Sequence, residues 1–297
     1  MPEKARTTRE VTREYFDRMM LEMRLMDSVV PRTTLELYGK TFETPVMTAA
    51  LSHLGTFHPE LPSGMVQYAM GAQKSGAVHW IGMGSDQEFE AVTATGARTI
   101  RIIKPYAREE KIFEMIRCAE RCGALAVGMD IDHMFDLKGD PDVCMGEPMA
   151  VKSSKEIQRY VESTKLPFLV KGVLSVQDAE KCMAVGAQGI VVSNHGGRLN
   201  GTLPPLAVLP AIAAAVAGKI PIFVDCGVCS GMDAYKALAL GATAVSVGGH
   251  LIPYLKKGGE EAVAARIRQM TEELKGVMAY TGVGSLQEFD ASVIHVL

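Results

Sequence analysis

Two short apolar runs in the middle of the 297-residue chain each end on residues able to do chemistry. The first, 168–170, runs into Lys171, and the second, 189–192, runs into Ser193, Asn194, His195, Gly196, Gly197 and Arg198. An ammonium at a strand end can stabilise developing negative charge. An imidazole can move protons near neutral pH, and a guanidinium can grip a carboxylate with two hydrogen bonds. His195 and Arg198 stand three apart across a Gly-Gly turn that can bring both inward. Between the runs lies one helix-length segment, 175–184, with Val176, Ala179, Cys182 and Met183 near helical spacing. Ser175 is its expected N-cap and Gly186 the left-handed residue that ends it. Two strands joined by one helix run parallel, so both polar clusters leave the sheet at its carboxyl edge. That edge is where α/β proteins bind ligands.

The elements that position these groups follow a rhythm. Gly-Ala recurs at Gly76, Gly96, Gly123, Gly186 and Gly241, each time after a helical segment and before a short apolar run. The glycine ends a helix by taking positive φ, and the small alanine lets the chain pass straight into a packed strand. Eight strands are expected near 46–49, 78–82, 99–103, 126–130, 168–170, 189–192, 222–224 and 244–247. Eight alternating units without a linker predict a single α/β domain, a (β/α)8 TIM barrel over 44–297, and a doubly wound open sheet is the competing arrangement. Residues 1–43 are expected as an extension: an amphipathic helix over 8–26, with Val11, Tyr15, Met19 and Met23 on one face, then a hairpin over 35–42 turning at Gly39. Two long loops face the catalytic side, 52–63 with His53 and His58, and 133–152, rich in Asp, Gly and Pro.

Composition narrows the class. Hydrophobic residues make up 47% of the chain and there are 29 glycines, which suits a buried parallel sheet with many tight turns. A net charge of −3 offers no global basic field, so no nucleic acid partner is expected. The charged N-terminus has no apolar leader segment, and the longest apolar stretch, 206–224, is broken by Pro210, Lys219 and Pro221, so neither secretion nor a membrane span is expected. Six cysteines without a compact framework suit reduced thiols in a cytoplasm. Cys226 and Cys229 have CxxC spacing but no second pair nearby, so no metal site is expected there.

The motifs VKGV ending on Val173, SNHGGR ending on Arg198, the strand-to-loop run 222–231 and the helix KALALGA ending on Ala242 together resemble the FMN-dependent α-hydroxy-acid oxidase and dehydrogenase family, which includes glycolate and lactate oxidases. The resemblance is dense from about 166 to the C-terminus and thinner from 44 to 130. It implies FMN as cofactor, a small-molecule substrate, a homo-oligomer (commonly a tetramer), and oxidation of a 2-hydroxy acid by hydride transfer to flavin N5. It places the base at His195, its carboxylate partner at Asp130, a substrate-carboxylate clamp at Arg198, and a cation beside the flavin at Lys171. Cofactor contacts carried over are Ala49, Ser85, Ser193, Asp225, Gly227, Gly248 and Gly249, with Cys229 in the phosphate loop.

The chain departs from the family pattern at several of these places. Cys229 and Gly249 stand where the family has phosphate-binding arginines, leaving backbone donors with Ser230 or His250 as helpers. The third strand shows Arg101 and Ile103 in place of a Gln-x-Tyr pair, and Asp132 and His133 stand where a second substrate arginine is expected. Weaker flavin affinity and a bulkier or less acidic substrate than lactate or glycolate are the consequences expected from sequence. Two other readings remain open at this stage: a flavin barrel with isomerase or reductase chemistry, and a barrel that binds a phosphorylated ligand without redox chemistry.

Overall fold

The computed structural model of the protein describes residues 6–57 and 59–297, so His58 lies outside the described residues. Its centre is built from β1 (Val46–Thr48), β2 (His79–Ile81), β3 (Thr99–Ile103), β4 (Ala126–Asp130), β5 (Phe168–Val173), β6 (Ile190–Val192), β7 (Ile222–Val224) and β8 (Ala244–Val247). The strands neighbour one another in the order β1-β8-β7-β6-β5-β4-β3-β2. The two ends then meet. Thr48 N–H donates to Val78 O at 3.2 Å and Gly82 N–H to Leu51 O at 2.8 Å, closing the sheet into a (β/α)8 barrel. All eight expected strands are present, the fifth running on to Val173. The five Gly-Ala glycines have φ between +66° and +107°, the conformation their position requires. Ser175 caps its helix through Asp178 N–H.

Inside the barrel, Met47, Trp80, Leu169, Val191 and Phe223 pack into one cluster, with Trp80 and Phe223 edge to face at 5.1 Å. Leu35–Leu37 and Lys40–Phe42 form the expected hairpin, and Leu35, Leu37 and Phe42 plug the amino-terminal mouth by joining that cluster. Its turn at Tyr38 and Gly39 has positive φ at both residues, which suits the twist of a two-residue hairpin loop.

The N-terminal helix differs from the expectation. It covers Thr8–Asp17 and stops there. Met19–Leu21 pair antiparallel with Ile294–Val296, a ladder available only once the chain's two ends meet, so tertiary pairing overrides the helical spacing. The buried helical face is Thr8, Thr12 and Phe16; of the expected stripe of Val11, Tyr15, Met19 and Met23, Met19 is buried, but in the strand and not the helix. This face lies over the carboxyl mouth of the barrel. Asn194 Nδ2 donates to Thr12 Oγ1 at 3.2 Å, and Arg13 Nη1 donates to Gly227 O at 2.9 Å. A Cβ on Gly227 would approach Phe16 to 2.8 Å, so glycine is what lets helix and loop meet.

Candidate active site

The site is assembled where β4, β5 and β6 end. Lys171 lies opposite Asp130 in the β5–β4 ladder, and the register shifts just beyond it, at Gly172 with φ +96°. A Cβ on Gly172 would lie 2.8 Å from the Asp132 carboxylate, so this glycine makes room for Asp132 beside the strand. Lys171 Nζ is 3.4 Å from Asp130 Oδ1, and 3.7 Å from both Asp132 Oδ2 and Asp225 Oδ2. From the end of β3, Lys104 Nζ donates to Asp130 Oδ2 at 2.6 Å. Burial opposes ionisation of Asp130, but Lys171, Lys104 and His195 together hold its carboxyl well below the usual range. Burial likewise works against the Lys171 charge, and its three carboxylates outweigh it, keeping that ammonium well above the usual lysine range. Both groups are ionised at neutral pH.

His195 sits at φ +51° on the turn after β6. Its Nδ1 is 2.7 Å from Asp132 Oδ1, against 3.6 Å from Asp130 Oδ2 and 3.2 Å from Lys171 Nζ. The sequence pointed to Asp130 as the histidine's carboxylate; the short hydrogen bond goes to Asp132, because Asp130 is already drawn to Lys104. That contact assigns the ring proton to Nδ1 and leaves Nε2 to accept one. Burial and the Lys171 charge push the imidazole down, yet its bonds to Asp130 and Asp132 more than offset them and raise its pKa. His195 Nε2 lies 3.4 Å from His133 Nε2, whose own Nδ1 is 2.8 Å from Asp142 Oδ2. Two histidines, each backed by an aspartate, thus face one another.

A cavity of about 600 Å³ runs under the N-terminal helix from His195 and Lys171 past Asp225 to the loops after β7 and β8. Of the catalytic and cofactor-contact residues that the family resemblance implied, Ala49, Lys171, His195, Asp225, Gly227, Cys229, Gly248 and Gly249 line it. Asp130 is buried behind Lys171, and Ser193 is buried too, its Oγ accepting from His195 N–H at 3.1 Å. The remaining two are placed elsewhere. Arg198 Nη2 donates to Phe135 O at 2.8 Å and to Asp142, so its guanidinium faces the 133–152 loop. Ser85 caps the helix Asp86–Thr93, its Oγ accepting from Glu88 N–H. Cys226 and Cys229 both border the cavity and are both free thiols: Cys226 Sγ donates to Asp225 Oδ1 at 2.8 Å and accepts from Gly196 N–H at 3.0 Å. Lys104 and Arg266 have no role in the sequence reading. Lys104 was within reach of it, since it immediately follows a strand and so falls at the same mouth as Lys171; nothing local marks Arg266.

A closed barrel with an ammonium, an aspartate-backed imidazole and an elongated glycine-rimmed cavity at its carboxyl mouth defines a cofactor-using barrel enzyme. The chain belongs to the FMN-dependent dehydrogenase family, whose profile matches residues 3–152 and 145–296. It is 31% identical to L-lactate oxidase of Lysinibacillus sphaericus over 310 residues, covering 88% of this chain and 80% of that protein. It is 30% identical to glycolate oxidase 1 of Zea mays, covering 95% and 85%. A solved structure of mandelate oxidase with (S)-2-phenylpropionate superposes with a TM-score of 0.86 at 28% identity, covering 97% of this chain and 89% of that one. The cavity fits FMN. Ala49, Ala50 and Leu51 give it an apolar wall, Lys171 puts a cation beside them, and a Cβ on Gly248 would press to 3.2 Å on Ala49 and narrow the space.

Proposed function

We propose that the protein oxidises a 2-hydroxy acid to the 2-oxo acid. FMN, when bound, supplies the two-electron acceptor. Ala49, Lys171, Asp225, Gly227, Gly248 and Gly249 are the residues that would hold it. The observation that carries the reading is the 2.7 Å contact between His195 Nδ1 and Asp132 Oδ1 at the cavity wall. With its proton committed to Asp132, the ring offers Nε2 to the substrate hydroxyl, and the imidazolium formed is stabilised by Asp132 and Asp130. Arg198, held by Asp142 and Phe135 O, is not free to clamp a carboxylate unless the 133–152 loop yields it. This supports the expectation that lactate and glycolate are weak substrates and that a bulkier or less acidic hydroxylated compound is preferred. The test is anaerobic bleaching of the FMN-loaded protein by a panel of 2-hydroxy acids. Bleaching by one or more of them is the expected result; bleaching by NADH or NADPH and by none of the acids would make the protein a reductase instead.

The pH dependence has a definite sign. His195 must be neutral to accept a proton, and its pKa is raised in the folded protein. Flavin reduction should therefore rise with pH through an inflection above about 6.5, the unperturbed histidine value. Asp132→Asn removes a stabiliser of the imidazolium, so the inflection should move to lower pH while the plateau rate falls. Stopped-flow reduction rates across pH 5–9 check this, and an inflection that stays put in the variant would return the partner role to Asp130.

A further inference from the structure

The loops after β7 and β8 are where (β/α)8 barrels commonly hold phosphate, yet here they carry Cys229 and Gly249. The backbone donors there are fewer than the glycines suggest, because Cys229 N–H is already taken by Asp233 Oδ2 at 2.9 Å. A dianion at that end of the cavity needs another cation. One comes from outside the barrel strands. Arg266, on the C-terminal helix Ile252–Tyr280, is only 8% exposed and reaches beneath both loops. Its Nη2 donates to Cys229 O at 2.7 Å, its Nε to His250 Nε2 at 3.0 Å, and its Nη1 to Glu273 Oε1 at 2.9 Å.

The direction of the middle bond matters. A guanidinium can only donate, so His250 Nε2 must accept and the imidazole proton sits on Nδ1. Among the described residues that Nδ1–H has no hydrogen-bond partner, and His250 lines the cavity beside Gly249. Burial and the neighbouring Arg266 charge lower the His250 pKa, which favours the neutral ring as a donor. Arg9 lines the same cavity at its other end, where a Cβ on Gly196 would lie 3.6 Å from Arg9 Nη2.

We propose that His250, fixed in one tautomer by Arg266, binds the FMN phosphate through Nδ1–H, with the Arg266 charge replacing the strand-loop arginines this chain lacks. Arg266 is a positioning residue and a source of field; His250 is the direct contact. The inference rests on the FMN reading of the cavity, and comparing FMN with riboflavin, which lacks only the phosphate, separates the two. Apoprotein is titrated with each flavin and bound fraction read from fluorescence quenching. The wild type should bind FMN well ahead of riboflavin. His250→Leu and Arg266→Met should each weaken FMN roughly ten- to hundredfold, the loss of a charge-assisted bond, and leave riboflavin unchanged. Arg9→Gln should leave the FMN-to-riboflavin ratio as it is. His250→Leu leaves the Arg266–Glu273 pair intact, so it reads the phosphate contact even if Arg266→Met unfolds. A wild type that prefers FMN while His250→Leu keeps the full preference, or a preference lost only in Arg9→Gln, overturns the inference alone. A wild type that binds neither flavin overturns the cofactor reading and this inference with it.

Discussion

His195→Asn is expected to slow substrate-driven flavin reduction by about 10²–10⁴, the usual contribution of a positioned general base. Asparagine is the better choice because position 195 has φ +51°, which Asn adopts at lower cost than most other residues. The side chain also keeps a polar group near Asp132 Oδ1, so the carboxylate is not stranded. FMN should remain bound, since the cavity residues after β1, β7 and β8 that are proposed to hold it are untouched. The measurement is anaerobic stopped-flow bleaching under saturating substrate, with the flavin absorbance spectrum as the control for loading. Reduction at the parent rate would remove His195 from the chemistry and move attention to His133, whose Nε2 lies 3.4 Å away.

The barrel was legible in the chain because its signals are local. A glycine that must take φ above +60° to end a helix, followed by an alanine and a β-rich run, states its own structure at each recurrence. The same holds for Lys171 and His195, which stand near the carboxyl ends of strands and so fall at the carboxyl mouth whatever the rest of the chain does. Asp132 is a different case. Its role depends on Gly172 having no Cβ and on Lys104 claiming Asp130, two facts about neighbours in space. Arg198 also read well as a residue type, but the Asp142 side chain that holds it comes from a loop with no periodic pattern to place it. Arg266 is the extreme instance: a helix position like many others until the chain brings it under Cys229 and His250. The helix over Thr8–Asp17 ended early for the same reason, since the competing ladder is formed by the opposite end of the chain.

Lys171→Met should destabilise the apoprotein by about 3–5 kcal/mol, the range for removing one partner from a buried charge cluster. The ammonium is 5% exposed and faces three carboxylates. Two of them keep a second partner: Asp130 has Lys104 at 2.6 Å and Asp132 has His195 at 2.7 Å. Among the described residues Asp225 keeps only the weak Cys226 thiol donor, at 2.8 Å, and Asp132 Oδ2 has no hydrogen-bond partner, so the cost falls on these two carboxylates. A shape-conserving double variant, Lys171→Met with Asp225→Asn, should recover part of the loss, because the stranded charge goes with it. The deficit also has a pH signature. Asp130 has a depressed pKa in the wild type, so it contributes stability above the unfolded carboxylate value and loses it as pH falls through the folded one. Removing Lys171 weakens that depression, and the gap between variant and wild type should hold down to about pH 4 and narrow only below it, as the variant's Asp130 takes up its proton first. Urea unfolding of the apoproteins at neutral and acidic pH measures both effects. Equal midpoints at neutral pH would mean that water or the Lys104 ammonium already neutralises the cluster, and that Lys171 is held there for the cofactor alone.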